Sequence, residues 1–196
     1  MEKGTMKKQL LTLTLGAATL LSSLTHAADY KIDTEGNHAF INFKIQHLGY
    51  SWLTGRFNDF DGTFSYDKDK PEASTINVTI NTASIDSNHA ERDKHLKGDE
   101  FLDVSQFPTS HFVSTKYEST GEDKGILTGK FTLHGVTKTI SFPITRIGEG
   151  NDPWGGYRAG FEGKTTLKLT DYGIDYNLGP ASTHVELELL IEGIRQ

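Results

Sequence analysis

The sequence predicts an all-β fold, a single antiparallel β-barrel of about eight strands with one short helical insertion at about residues 88–97. Three observations predict it. Apolar and polar residues alternate through most of the chain, which is typical of sheets with one apolar and one solvated face. Glycines, 20 in all, recur inside the alternating segments, where they mark the bends and bulges that curl a sheet. One charged segment, from Asp86 to Leu102, interrupts the alternation.

The first residues have the composition of an export signal. Lys3, Lys7 and Lys8 form a basic start, an apolar run covers Leu10–Leu24, and Thr25–Ala27 ends in the small residue that precedes a cleavage point. The apolar run is shorter than the roughly 20 residues that a membrane-spanning helix needs. We therefore expect a soluble, periplasmic protein that is exported by a cleaved signal peptide and has no membrane-spanning segment.

Two details of this segment stay open. Cleavage after Ala27 is the main expectation and cleavage after Ala28 is the alternative. Met6 stands directly before two lysines, so it is an alternative start to Met1. With the first boundary, the signal peptide covers residues 1–27 and one domain covers residues 28–196, because no linker or repeat divides the remainder.

The predicted strands follow from the alternation of apolar and polar residues. They cover Ile41–Ile45, Gly55–Tyr66, Ile76–Ile80, Ser110–Tyr117, Leu127–Leu133, Val136–Ile147, Tyr157–Leu169 and Val185–Ile191. A sandwich of two sheets is the alternative architecture. The glycines within strands and the even alternation favour a closed barrel, which also removes exposed strand edges.

The composition excludes several classes of protein. The chain has no cysteine, which excludes disulfides, thiolate metal sites and cysteine nucleophiles. The chain carries a net charge of −6, and loss of the basic signal leaves the mature domain more acidic still. Such a domain is poorly suited to the polyanionic surface of a nucleic acid, so we expect no nucleic-acid partner.

The charged segment predicts a short helix from Asn88 to Lys97. Asn88 is the expected N-cap, Glu91 stands where a capping box has its acid, and Gly98 stands where helices often end. Together with the apolar residues Leu96, Phe101 and Leu102, the segment predicts a lid or plug over one end of the barrel.

A metal site is the alternative interpretation of the same segment. Glu91 and His95 are four residues apart on one helical face, and His47, His111 or His134 would have to supply a third ligand. This reading would make the protein a metal-dependent hydrolase. Because the caps account for most of the charges, we assign no catalytic residue and no metal ligand.

The charged segment also resembles a known family. Asn88–Leu96, with Phe101–Leu102 and Phe107–Pro108 after it, is similar to the signature of the YceI-like family of polyisoprenoid-binding proteins. Further similar blocks follow the family's order: Ala28–Asp33, His38–Phe40, Gln46–Gly49, Phe60–Phe64, Leu133–Lys138, Asp152–Gly156, Arg158–Phe161 and Leu178–Ser182. The resemblance implies a lipocalin-like barrel that holds a long isoprenoid or similar lipid, without established catalytic residues.

We therefore expect a periplasmic carrier that binds a long-chain isoprenoid or related lipid non-covalently and needs no cofactor. Monomer and homodimer both stay open. A packed structural module without a ligand is a further alternative. The expected ligand-binding residues are apolar side chains on the inner face, with two tryptophans at the mouth: Ile41, Phe43, Ile45, Trp52, Phe60, Phe64, Ile76, Val78, Phe112, Phe131, Phe142, Trp154 and Phe161.

Overall fold

The computed structural model describes Met1, residues 27–176 and residues 178–196. The predicted signal peptide therefore lies almost wholly outside the described residues. Among these residues, no helix combines the length and the apolar composition that crossing a bilayer requires.

Strands make up most of the described chain. They are β1 (Ala28–Ile32), β2 (Phe40–His47), β3 (Ser51–Phe57), β4 (Phe60–Tyr66), β5 (Thr75–Asn81), β6 (Ile85–Asp86), β7 (Thr109–Gly121), β8 (Lys124–Leu133), β9 (Val136–Asn151), β10 (Tyr157–Lys168) and β11 (His184–Arg195). The α-helix α1 covers Ala90–Leu96, and short 3-10 helices cover Pro71–Ala73, Thr82–Ser84, Leu169–Tyr172 and Pro180–Ser182.

The sheet closes on itself through β1. This strand pairs with β4 on one side and with the end of β11 on the other, which completes an antiparallel ring in the order β1-β4-β5-β7-β8-β9-β10-β11. The strand β2 pairs with Val185–Leu190 of β11, along the same edge that β1 uses at Gly193–Arg195. The predicted eight-stranded barrel is thus confirmed, and the sandwich alternative is wrong.

The predicted strand Gly55–Tyr66 is two strands. The two strands separate at Asn58 and Asp59: the Asn58 N–H donates to the Ser84 carbonyl, beside β6, whereas the Asp59 carbonyl accepts from the N–H of Asn81, the last residue of β5. The side chains of Asp59 and Asn81 are bonded as well, since the Asn81 amide donates to Asp59 Oδ2 at 2.8 Å. As a result β3 pairs with β2 and β6, whereas β4 pairs with β1 and β5.

Several glycines within strands lie beneath aromatic rings of the inner face. A Cβ atom at such a glycine would overlap the ring of a residue on a nearby strand. The pairs are Gly55 with Phe43, Gly129 with Phe112 and Gly193 with Phe64, at 2.3, 2.4 and 2.3 Å from the nearest ring carbon. The sequence predicted bends and bulges at glycines within strands, and the pairing of β9 with β10 does shift register at Gly160 and Phe161. At Gly55, Gly129 and Gly193 the glycine instead leaves space for a ring.

One end of the core is a stack of aromatic rings. The rings of Tyr30 and Phe64 are parallel, with centroids 4.7 Å apart, and Phe161 meets Phe64 edge-on at 5.5 Å. These residues join β1, β4 and β10, so the stack holds together the strands at which the barrel closes. Gly193 makes the stack possible because it leaves space for the Phe64 ring.

A buried ion-pair network lies next to this closure. Arg158 Nη1 donates to Asp33 Oδ2 and to Glu192 Oε1, both at 2.6 Å, and Arg158 Nε donates to Asp152 Oδ2 at 2.8 Å. Asp33 is only 5% exposed, and His38 Nδ1 lies 2.8 Å from it. Burial alone would raise the pKa of Asp33, but the hydrogen bonds from His38 and Arg158 outweigh burial and hold the pKa at about 2, below its ordinary 3.8.

The Gly193→Ala substitution tests the ring-on-glycine packing. The new methyl group would overlap Phe64 and crowd Tyr30, so we expect the free energy of unfolding to fall by about 1–3 kcal/mol. Gly148→Ala is the matched control, since no atom lies within 4 Å of its added Cβ. Urea denaturation of both variants checks the prediction, and equal stability losses would contradict it.

The Asp33→Asn substitution tests the ion-pair network. A carboxyl whose pKa is lower in the folded state adds stability above its unfolded pKa, and this contribution is lost as the pH falls from about 4 to 2. We expect Asp33→Asn to be less stable than the wild type by about 2 kcal/mol at pH 7. The difference should shrink toward pH 2 in denaturation experiments.

The exposed carboxylate of Asp61 supplies the control for this experiment. Asp61→Asn should leave both the stability and its pH dependence close to those of the wild type. A difference between Asp33→Asn and the wild type that stays constant from pH 7 to pH 2 would contradict the assigned role of Asp33.

Candidate functional site

The interior of the barrel contains two apolar cavities. The larger one, of about 280 Å³, lies beneath α1 and is called the lid cavity. The smaller one, of about 120 Å³, lies toward Phe64 and Phe161 and is called the distal cavity. Four side chains line both cavities and form the waist between them: Ile41, Ile80, Phe131 and Leu187. The barrel interior is therefore only partly filled by its own side chains.

The helix α1 is positioned by its first turn. It begins at Ala90, with His89 as the N-cap, because His89 Nδ1 accepts a hydrogen bond from the Arg92 N–H at 3.2 Å. The predicted N-cap, Asn88, instead has a φ of 59° and precedes the helix. The predicted start and capping box are therefore wrong: Asp93 accepts the hydrogen bond from the Ser87 N–H.

Side-chain contacts fix the helix over the lid cavity. Arg92 donates to the Ser87 hydroxyl at 2.7 Å and to the Ser87 carbonyl at 2.6 Å. The His95 ring meets the rings of Phe101 and Tyr176 edge-on, with centroids 5.0 and 5.4 Å away. Leu96, Phe101 and Leu102 line the lid cavity, as the sequence led us to expect for a lid.

Three of the four histidines proposed as metal ligands, His95, His111 and His134, have other partners within the described residues. His95 Nε2 lies 2.8 Å from Glu100, and His111 lies within hydrogen-bond distance of Thr79 and Thr109. Within the described ranges, one group of three possible metal ligands comes together: Asp33, His38 and Glu192. Arg158 donates to both carboxylates of that group, so a guanidinium already supplies the positive charge. Glu91 and His95 do not belong to the group.

Most of the predicted ligand-binding residues line the lumen. Phe64, Ile76, Val78, Phe112, Phe142 and Phe161 line the distal cavity, Phe43 and Ile45 line the lid cavity, and Ile41 and Phe131 lie at the waist. The alternation of the strands placed these side chains on the inner face, and strand pairing brought them together.

Three predicted residues lie outside the lining of both cavities. Trp52 is half exposed on β3, with Lys44 Nζ 4.5 Å from its ring centroid. Trp154 is 78% exposed in the turn between β9 and β10, where its ring lies 5.7 Å from the Arg158 guanidinium. Phe60 is buried in the core cluster around Tyr30. Two of these aromatic rings thus pack against cations on the surface, and the third packs in the wall.

The distal cavity also has polar lining residues that the sequence analysis did not select. They include Tyr66, Tyr117 and Ser74. Tyr66 follows Phe64 by two positions, so strict alternation points it inward. Tyr117 follows Phe112 by five positions, so strict alternation would point it outward. An irregularity between Ser114 and Lys116 shifts the register of β7 and turns it inward. Burial raises the pKa of both tyrosines, so their hydroxyls are protonated at neutral pH.

Comparisons with known proteins agree with this architecture. Residues 30–193 match the model of the YceI-like domain. A UPF0312 protein of Pseudomonas aeruginosa (strain LESB58) is 59% identical over 191 residues, which cover 97% of this chain and all of that protein. A UPF0312 protein of Shewanella sp. (strain W3-18-1) is 56% identical over the same share of both chains.

Solved structures show the same fold. The YceI protein of Campylobacter jejuni superposes with a TM-score of 0.71 and 28% identity, covering 78% of this chain and 90% of that one. A polyisoprenoid-binding domain from Saccharophagus degradans superposes with a TM-score of 0.64 and 16% identity, covering 87% and 99%. At that level of identity the second similarity shows the fold alone.

Truncation of Phe131 at the waist tests whether the lumen is partly empty. A side chain beside cavities has fewer packing neighbours than one in a filled core, so it loses less when truncated. We expect Phe60→Ala, in the filled cluster, to cost about 3–5 kcal/mol and Phe131→Ala to cost at least about 1 kcal/mol less. Urea denaturation measures both. Equal losses would support the alternative of a closed, packed module.

Proposed function

The chain belongs to the YceI-like domain family, and we propose that it is a periplasmic binding protein that holds a long-chain isoprenoid or related lipid in its barrel. The observation that carries the proposal is the lumen itself. Its two cavities share the side chains of one waist, and the surface that faces them is almost wholly apolar. An apolar chain is the ligand that such a lining favours.

The size of the lumen sets an expectation for the chain. An apolar cavity of about 150 Å³ is enough to bind one benzene ring, so the two cavities together offer space for about fifteen carbon atoms. Burial contributes about 0.8 kcal/mol per CH₂ group, or roughly 8 kcal/mol for ten carbons before the costs of association. Before those costs, ten buried carbons correspond to the micromolar range, and each further buried carbon adds to the affinity.

Two further lines support the class of protein. The polyisoprenoid-binding domain of Saccharophagus degradans has the same fold, which makes an isoprenoid the natural first ligand to test. The basic and apolar pattern of the first residues is the reason to propose a periplasmic location. We propose binding without catalysis and without a cofactor, since His95 is paired with Glu100 and neither Glu91 nor His95 belongs to the group of possible metal ligands found among the described residues.

A chain-length series of prenyl alcohols tests the proposal. The affinities of geraniol, farnesol and geranylgeraniol, measured by displacement of a fluorescent apolar probe, should rise with length until both cavities are filled. Leu187→Trp places a larger ring at the waist, so the rise should stop at a shorter chain. We expect the loss for geranylgeraniol to be at least about tenfold, because two or more CH₂ groups lose their burial.

Val113→Trp is the control, because Val113 is exposed on β7 and lines neither cavity. This variant should bind the whole series like the wild type. Affinities that do not depend on chain length, or no displacement by any of the alcohols, would refute the proposed function.

A further inference from the structure

We propose that the bound lipid enters and leaves the barrel sideways, through a slot in the wall between β9 and β10. The pairing of these strands ends at Ile144 and Gly163, although β9 begins at Val136 and β10 runs on to Lys168. Among the described residues, no hydrogen bond joins 136–143 to 164–168. We call this separation the wall slot. The inference rests on the proposed function, because it assumes an apolar chain in the lumen, and it adds the route of exchange.

Both edges of the wall slot have the sequence of strands that stay unpaired. The two-residue turn before β9 makes Leu133 and Val136 a hydrogen-bonded pair, so the backbone groups of the odd-numbered residues of β9 point away from β8 and toward the slot. Pro143, where the pairing with β10 ends, has no N–H to donate there. On the other edge Lys164 and Lys168 are exposed, and edge lysines oppose the addition of another strand.

The wall slot is closed at its two ends. At one end the Phe142 ring lies against Gly163, where an added Cβ atom would be 3.3 Å from a ring carbon. At the other end His134 Nδ1 lies 3.1 Å from the Tyr172 carbonyl oxygen, which joins the turn between β8 and β9 to the chain after β10. The slot is therefore a window in the wall, and no backbone hydrogen bond has to break for it to widen.

The wall slot lies between solvent and the lumen. Lys138 belongs to the inner face of β9, since it pairs with the buried Phe131, and yet it is exposed. A polar groove of about 880 Å³ crosses the outer face of the wall from β9 to β3. This groove and the distal cavity share the lining residues Phe142, Thr165 and Leu187. Side chains alone thus separate the groove from the lumen at this place.

The other route, past α1, requires hydrogen bonds to break. The Ser87 N–H donates to Asp93, and Arg92 donates to the Ser87 hydroxyl and carbonyl. The Leu102 N–H donates to the Leu96 carbonyl and ties the following residues to the helix. Because such bonds hold the lid and none crosses the wall slot, the slot opens at the lower cost.

Cross-links test the inference, because the chain has no cysteine and an introduced pair supplies its only thiols. If the register continued, Ser141 would lie opposite Thr166, and both are exposed. Bridging Ser141→Cys/Thr166→Cys with a bismaleimide should slow both association and dissociation of farnesol at least about tenfold, the effect of roughly one or two hydrogen bonds in the barrier. The Kd should change less than about twofold, since both rates fall together. Stopped-flow displacement of a fluorescent apolar probe measures the rates.

Thr132→Cys/Thr137→Cys is the matched control, since its bridge joins β9 to β8, where the two hydroxyls already lie 2.8 Å apart. His95→Cys/Tyr176→Cys ties α1 to the loop before β11, at two rings that are in contact. Both bridged controls, and the unbridged slot variant, should exchange farnesol like the wild type. Unchanged exchange with the slot bridged, or an equal or greater slowing with the lid bridged, would overturn the inference. A wild type that binds no prenyl alcohol would instead refute the proposed function.

Discussion

The structure depends on how the inner aromatic rings pack against the barrel wall. Rings such as Phe43 and Phe64 lie over glycines of nearby strands, where any larger residue would overlap them. A phenylalanine that lies against the wall contributes apolar burial without filling the centre of the barrel. The glycines therefore have two consequences: they let the strands close around tightly packed rings, and they leave a lumen between those rings.

The lumen is covered at one end and apolar throughout. At the covered end α1 and the residues after it close the lid cavity with Leu96, Phe101 and Leu102, and their polar neighbours bond to one another. At the other end the surface that faces the distal cavity is apolar. An apolar chain matches such an interior, whereas a fully packed core would leave no space for it.

The barrel and most of its inner face could be predicted from the sequence, because a strand with one apolar face has a period of two that pairing does not change. The alternation could not predict the features that depend on contacts between residues far apart in the sequence. The break between β3 and β4 follows from their different partners, β2 and β6 for β3 and β1 and β5 for β4, and the inward direction of Tyr117 follows from an irregularity in β7. Trp52 and Trp154 were expected at the mouth, but each meets a cation whose position only the fold determines.

Native mass spectrometry of the protein, purified without detergent from the organism that makes it, tests the central claim most directly. The spectrum should contain a species heavier than the protein alone by the mass of one lipid. Solvent extraction should release that lipid and identify an isoprenoid or related long apolar chain. A protein that is recovered empty, and that stays empty after incubation with prenyl lipids, would contradict the claim that the lumen is a binding site.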